Sequence, residues 1–116
     1  MLVCYHNDPD GLTAAWLFWK KYPDAHFQPM NYGDDFTYEG FKRIVFVDFC
    51  PAREILLELS KDSEVLVLDH HVSQGKVAAE FGVYDPTKAG CRLAWDYLYQ
   101  DAISPWIVDY VEDRDI

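Results

Sequence analysis

Three stretches of the chain share one pattern, a short aliphatic run without alternation that is cut off by acids or imidazoles. Val65 to Leu68 gives way to Asp69-His-His71, Arg43-Ile-Val-Phe-Val ends at Asp48, and Leu2-Val-Cys-Tyr5 runs into His6-Asn-Asp-Pro-Asp10. Apolar runs of this kind suit strands buried on both faces, as in a parallel sheet covered by helices. Charged groups inside such a sheet are costly, so the acids and histidines belong where each strand emerges. In open α/β sheets those carboxyl ends form the ligand crevice.

Between the strands the apolar spacing turns helical. Leu12, Ala15, Trp16 and Trp19 recur at i, i+3, i+4 and i+7, predicting a helix from Leu12 to about Tyr22. Leu17 and Phe18 make that helix apolar almost all round, and therefore well buried. Pro9 and Gly11 are read as breakers that keep the preceding loop open. Phe27 to Met30 is a short strand, residues 31–40 a polar loop, and Arg43 to Phe49 a strand. Pro51 suits the first turn of a helix to about Ser60, with Ala52, Ile55, Leu56 and Leu59 on its stripe. After the strand Val65 to Asp69, the segment from Val72 to Phe81 is ambiguous, with a short helix at about Lys76 to Glu80 and an edge strand at Val83-Tyr84. Ala89 to about Gln100 is helical, with Cys91, Ala94, Trp95 and Leu98 buried. Ser104-Pro105 opens a last helix that turns Ile107, Tyr110 and Val111 inward. Alternating strands and helices predict a single three-layer α/β/α domain with a mainly parallel sheet.

Length and composition agree with that. One domain of 116 residues, half of them apolar and 16% aromatic, can bury a sizeable core. The net charge of −10 argues against a surface that grips long duplex nucleic acid. Cys4, Cys50 and Cys91 are odd in number and form no CxxC, so buried reduced thiols fit better than a disulfide or a zinc site. No apolar run approaches membrane-spanning length and no signal peptide is evident, so a cytoplasmic protein is expected.

The candidate chemistry sits in the polar punctuation. In an extended loop His6, Asp8 and Asp10, two apart, would converge on one side, although the same residues also make an ordinary acidic turn. Imidazole and carboxylate without thiolate favour Mn²⁺, Mg²⁺ or Fe over structural zinc. Asp48 alone could be a helix cap or a loop acid. Adjacent His70 and His71 do not easily face one ion, so one is expected to be a ligand and the other to reach a bound oxyanion, with Asp69 orienting a ring. Asp115, on the stripe of Ile107 and Val111, is a better ligand than Asp113, which lies nearer the solvated face of Asp109. The aromatic residues fall mostly on helical stripes and are read as core.

Together His6-Asn-Asp-Pro-Asp-Gly11, Val47-Asp-Phe49, Asp69-His-His71 and Glu112-Asp-Arg-Asp115 resemble, in order, the four motifs of the DHH phosphoesterase superfamily. The resemblance implies a mainly parallel sheet of about five strands binding two divalent ions, Mn²⁺ preferred with Mg²⁺ or Co²⁺ possible. By its motifs His6 and Asp8 match ligands of one ion, Asp10 and His70 of the other, Asp48 the bridging carboxylate and Asp115 the fourth-motif ligand. His71 matches the histidine that contacts phosphate, and Asp69 its supporting acid. Many members carry a second, substrate-binding domain; this sequence stops just past the fourth motif, so Arg53, Lys88 and Arg92 are the candidate cations nearest the site. The expectation is a hydrolase of small phosphodiesters, phosphomonoesters or phosphoanhydrides, such as short oligonucleotides or nucleotides. The alternative is a catalytically weak module that binds metal and nucleotide.

Overall fold

The computed structural model describes residues 1–35, 38, 40–100 and 102–115. Five strands form one sheet: β1 (Leu2–His6), β2 (His26–Met30), β3 (Arg43–Val47), β4 (Glu64–Asp69) and β5 (Gly82–Tyr84). Their order is β2-β1-β3-β4-β5, and every pairing is parallel. Among the described residues five helices accompany them: α1 (Pro9–Lys21), α2 (Arg53–Ser60), α3 (Gly75–Phe81), α4 (Gly90–Tyr99) and α5 (Trp106–Asp115). A 3₁₀ turn at Val72–Gln74 leads into α3, which resolves the ambiguous segment as helical.

The three-layer architecture follows from the period of two along the strands. Val3, Val45, Val47 and Leu68 point to the face covered by α1, α4 and α5, where they meet Leu17, Phe18, Ala94 and Val108. Leu2, Cys4, Ile44, Phe46 and Val67 point to the other face, against Leu56 of α2 and Ala78 of α3. Both faces of the central strands are dry, which is why the sequence reads as unbroken aliphatic runs. Cys4, Cys50 and Cys91 are buried free thiols. Among the described residues no helix is long and apolar enough to cross a membrane.

Register puts the acids in one rank. Tyr5 pairs with Val47 and Val47 with Leu68, so the next residues, His6, Asp48 and Asp69, leave three adjacent strands side by side. The chain steps from β1 to β2 in one direction and to β3 in the other. The site therefore opens at the topological switch point between β1 and β3.

Several expectations about helices are corrected. α1 starts at Pro9 rather than Leu12: Asp8 caps it by accepting the Gly11 N–H at 2.8 Å, and Pro9 is a favourable first residue, not a breaker. His6, Asp8 and Asp10 are thus a strand end, a cap and a first-turn residue, not an extended loop. The buried face of α1 carries Ala14, Ala15, Leu17 and Phe18, whereas Leu12, Trp16 and Trp19 lie outside, Leu12 at 59% exposure. The rotation is set by Gly11, where a Cβ would meet the His6 carbonyl oxygen at 1.9 Å, and by the buried Asp10 one residue earlier. In α2, Ala52 is the cap position, Pro51 precedes it, and Ile55 is exposed while Leu56 is buried. α5 buries Val108 and Val111, with Tyr110 half-exposed instead of inward. Its expected cap, Ser104, instead donates its hydroxyl to Asp109 and accepts from Arg92. Phe36, Thr37 and Glu39 of the expected loop, and Ile116 at the expected end of the last helix, lie outside the described residues.

Candidate metal centre

β3 stops at Val47 because Asp48 adopts a left-handed backbone, φ 57°, unusual for a residue other than glycine. The turn drops the Asp48 side chain into the gap between β1 and β4, where it is 1% exposed. Its Oδ1 lies 2.8 Å from His70 Nε2, and its Oδ2 lies 3.7 Å from His6 Nδ1. The two carboxylate oxygens therefore face two different histidines. On the His6 side, Nδ1 is 2.9 Å from Asp8 Oδ2, yet the geometry makes no hydrogen bond and Nδ1 stays unpartnered. On the His70 side, Nε2 is 3.4 Å from Asp10 Oδ2 and 3.6 Å from Asp115 Oδ2.

The ligand-type atoms thus fall into one set of His6, Asp8 and Asp48, and another of Asp10, His70 and Asp115, each within 4.8 Å internally. Asp48, Asp69, His70 and His71 form a third such set that overlaps them. Ligand atoms about 2.1 Å from a hard divalent ion and at right angles to one another sit about 3 Å apart, and the histidine-to-carboxylate distances here run from 2.8 to 3.7 Å. The buried, unpartnered Asp48 Oδ2 and the unpartnered His6 Nδ1 fit the same view, since a stranded buried acceptor is costly unless a cation or donor meets it.

Asp10 and Asp48 show how environment separates two buried acids. Asp10 lies in the first turn of α1, and the first N–H groups of α4 donate to it, Gly90 to Oδ2 and Cys91 to Oδ1, both at 2.8 Å. Burial raises its pKa, but His70 and these N–H donors at a helix N-terminus outweigh burial and hold it well below the usual range. Among the described residues no backbone N–H donates to the Asp48 carboxylate. Burial, opposed only in part by His70 and reinforced by the charges of Asp10 and Asp8, pushes it up to about 9. His70, between Asp10 and Asp48, rises to about 10. Asp115 also rises, through burial and the nearby Asp10 charge. Sequence reasoning misses the Gly90 and Cys91 donors, because backbone N–H groups leave no residue signature.

Asp69 closes β4 fully buried, and its Oδ1 accepts from the His70 N–H at 2.8 Å and faces His71 Nδ1 at 2.7 Å. This contact fixes the His71 ring, raises its pKa and leaves Nε2 as its outward nitrogen. Asp113 is exposed. The three candidate cations all hold acids: Arg53 pairs with Glu80 and Lys88 with Asp96, each at 2.8 Å, and Arg92 pairs with Asp109 and with Glu112 at 3.1 Å. Burial and the Asp69 charge push the Cys50 thiol up to about 12, which removes it as a nucleophile at neutral pH.

These shifts set a pH dependence for the protein stripped of metal. His70, raised from 6.5 to about 10, stabilises the fold fully below 6.5, and that contribution is lost as pH rises through 10. Asp48, raised from 3.8 to about 9, acts in the same direction, because its buried ionised form is disfavoured over that interval. Thermal melts in chelator are expected to fall from pH 6 to pH 9, and added Mn²⁺ to raise the midpoint more at pH 9 than at pH 6. A metal-free midpoint that climbs over this range would contradict the site electrostatics.

No protein-family profile matches the chain. An uncharacterised protein of Acanthamoeba polyphaga mimivirus is 28% identical to it over 138 aligned residues, which cover 99% of this chain and 33% of that protein. A crystal structure of an uncharacterised protein from Helicobacter pylori superposes with a TM-score of 0.79 at 18% identity, covering 98% of this chain and 42% of the other. This chain therefore spans about a third of the viral relative and about two fifths of the bacterial one, and the latter likeness bears on the fold alone.

Proposed function

We propose that this chain is a metal-dependent phosphoesterase domain of the DHH type, acting on small phosphodiesters, phosphomonoesters or phosphoanhydrides. The observation that carries the reading is Asp48, a buried carboxylate whose two oxygens face separate histidine-carboxylate sets and whose Oδ2 makes no hydrogen bond among the described residues. His6, Asp8 and Asp48 would hold one divalent ion, and Asp10, His70, Asp115 and Asp48 the other. Mn²⁺ suits this donor set best, with Mg²⁺ or Co²⁺ as substitutes. Such ions supply Lewis acidity and a water of lowered pKa.

The remaining work belongs to the protein. Asp8, Asp10, Asp48 and Asp115 offset four positive charges, so an anionic phosphate meets a near-neutral centre despite the acidic chain. Asp69 accepts the Nδ1–H of His71 and raises the pKa of the ring, so that the imidazolium form presents Nε2–H as a donor to a phosphate oxygen. Phosphoryl transfer needs positioning and charge stabilisation more than a covalent nucleophile. The ion pairs on Arg53, Lys88 and Arg92 favour small substrates over long ones, and they are also what supports the second reading, a module that binds metal and nucleotide but turns over slowly.

The test is hydrolysis of bis(p-nitrophenyl) phosphate by Mn²⁺-loaded protein, with a chelated control and Asp69→Asn alongside. Turnover is expected with Mn²⁺ only. Asp69→Asn is expected to lower it about 10-fold with Mn²⁺ still bound, since it disturbs the orientation of His71 but replaces no member of the His6, Asp8, Asp48 set or of the Asp10, His70, Asp115 set. Tight Mn²⁺ binding without turnover on any phosphoester would support the binding module, and absence of Mn²⁺ binding would remove both readings.

A further inference from the structure

Tyr32 is a half-exposed aromatic side chain held at the rim of the metal centre, and the folding core makes little use of it. It follows β2 in a closed turn: Asp34 accepts the Asn31 N–H at 2.8 Å, and the Asp34 N–H returns to the Asn31 carbonyl at 3.1 Å. The Asn7 N–H donates to the Met30 carbonyl at 3.0 Å, tying this turn to the loop that carries Asp8. The Tyr32 ring stacks on the buried ring of Phe49 with centroids 4.5 Å apart. Even so, the residue stays 49% exposed. Its centroid is 5.9 Å from the His6 ring and 6.3 Å from the His71 ring, one from the ligand set and one from the proposed phosphate contact. A flat, rigid ring with open surface beside a phosphate site is what a base-stacking platform requires.

We propose that Tyr32, backed by Phe49, is a stacking surface for a planar ring carried by the substrate one sugar away from its phosphate, so that the substrates are base-bearing nucleotides and not bare phosphates or pyrophosphate. This rests on the phosphoesterase reading and narrows its substrate class. The spacing supports it, because a nucleotide separates base from phosphate by a span comparable to that between Tyr32 and His71. Tyr32 is an exception to the reading that most aromatic residues are core, since it reaches the site from a polar loop with no helical stripe to mark it.

The experiment is calorimetry on the Mn²⁺-loaded chain with adenosine 5′-monophosphate, ribose 5-phosphate and inorganic phosphate, repeated for Tyr32→Phe, Tyr32→Leu and Tyr32→Ala. Wild type and Tyr32→Phe are expected to prefer the nucleotide over ribose 5-phosphate by roughly 10-fold or more, the range of one base-aromatic stack. The preference is expected to fall towards one in Tyr32→Leu, which keeps apolar bulk against Phe49, and in Tyr32→Ala. With a dinucleotide substrate, Tyr32→Leu is expected to raise KM about 10-fold with kcat within about twofold. Equal binding of all three ligands by wild type, or a preference that survives in Tyr32→Leu, overturns this inference while leaving the phosphoesterase reading intact. Failure of all three to bind overturns both.

Discussion

Replacing Asp48 with asparagine is expected to lower kcat/KM for a phosphodiester by about a thousandfold or more, and to do so in a protein that folds at least as well as the original. The loss follows from removing the carboxylate charge shared by both ligand sets; losing several kcal/mol of charge stabilisation amounts to about three decades in rate. The retained fold follows from three features of the same position. Asparagine tolerates the left-handed backbone at φ 57° better than most residues. Its carbonyl can keep the 2.8 Å contact with His70, and its amide can point an N–H toward the unpartnered His6 Nδ1, 3.7 Å from the present Oδ2. It also removes an acid whose ionised form is disfavoured up to about pH 9. At pH 8 in chelator the variant is therefore expected to melt no lower than wild type, while the midpoint gain on adding Mn²⁺ disappears. A variant that keeps the Mn²⁺ gain would deny Asp48 any role in binding ions. One that unfolds in chelator would mean that the carboxylate is structural.

That two-sided expectation depends on knowing where Asp48 sits, and only part of this is legible in the sequence. The strand ends are legible because a central strand buried on both faces has to be aliphatic throughout and has to shed its charges at its end. Leu2 to Tyr5, Arg43 to Val47 and Val65 to Leu68 obey that constraint, and parallel pairing aligns the residues that follow. The start and rotation of α1 are not legible from apolar spacing, since Leu12, Trp16 and Trp19 offer as good a stripe as Ala14, Leu17 and Phe18. The choice is made by tertiary contacts, Gly11 against the His6 carbonyl and Asp10 against α4. The left-handed turn at Asp48 and the Tyr32 platform are illegible for the same reason: each depends on residues distant in sequence, and neither leaves a periodic trace.

Gly90→Ala tests how closely those distant parts are fitted. Gly90 opens α4, a position where alanine would ordinarily strengthen a helix by roughly 1 kcal/mol. Here the expectation is the opposite, because an added Cβ would meet Asp48 Cβ at 2.6 Å and its Cγ and Oδ1 at 2.9 Å. The helix cannot simply retreat. Its Gly90 and Cys91 N–H groups hold the buried Asp10 at 2.8 Å, and Cys91, Leu93, Ala94 and Leu98 lock it into the core beside α1. Asp48 is the part that yields, and moving it disturbs both ligand sets at once. Overpacking of this kind costs about 1–3 kcal/mol, and displacing a site group by an ångström costs about 100-fold in rate. Urea melts in chelator are expected to show a loss of about 2 kcal/mol. Mn²⁺-dependent turnover is expected to fall about 100-fold, more than a modest loss of stability alone would produce. If alanine instead raises stability and leaves turnover unchanged, the contact between the first turn of α4 and the end of β3 is looser than the structure has it, and Asp48 is not held where the two-ion centre requires.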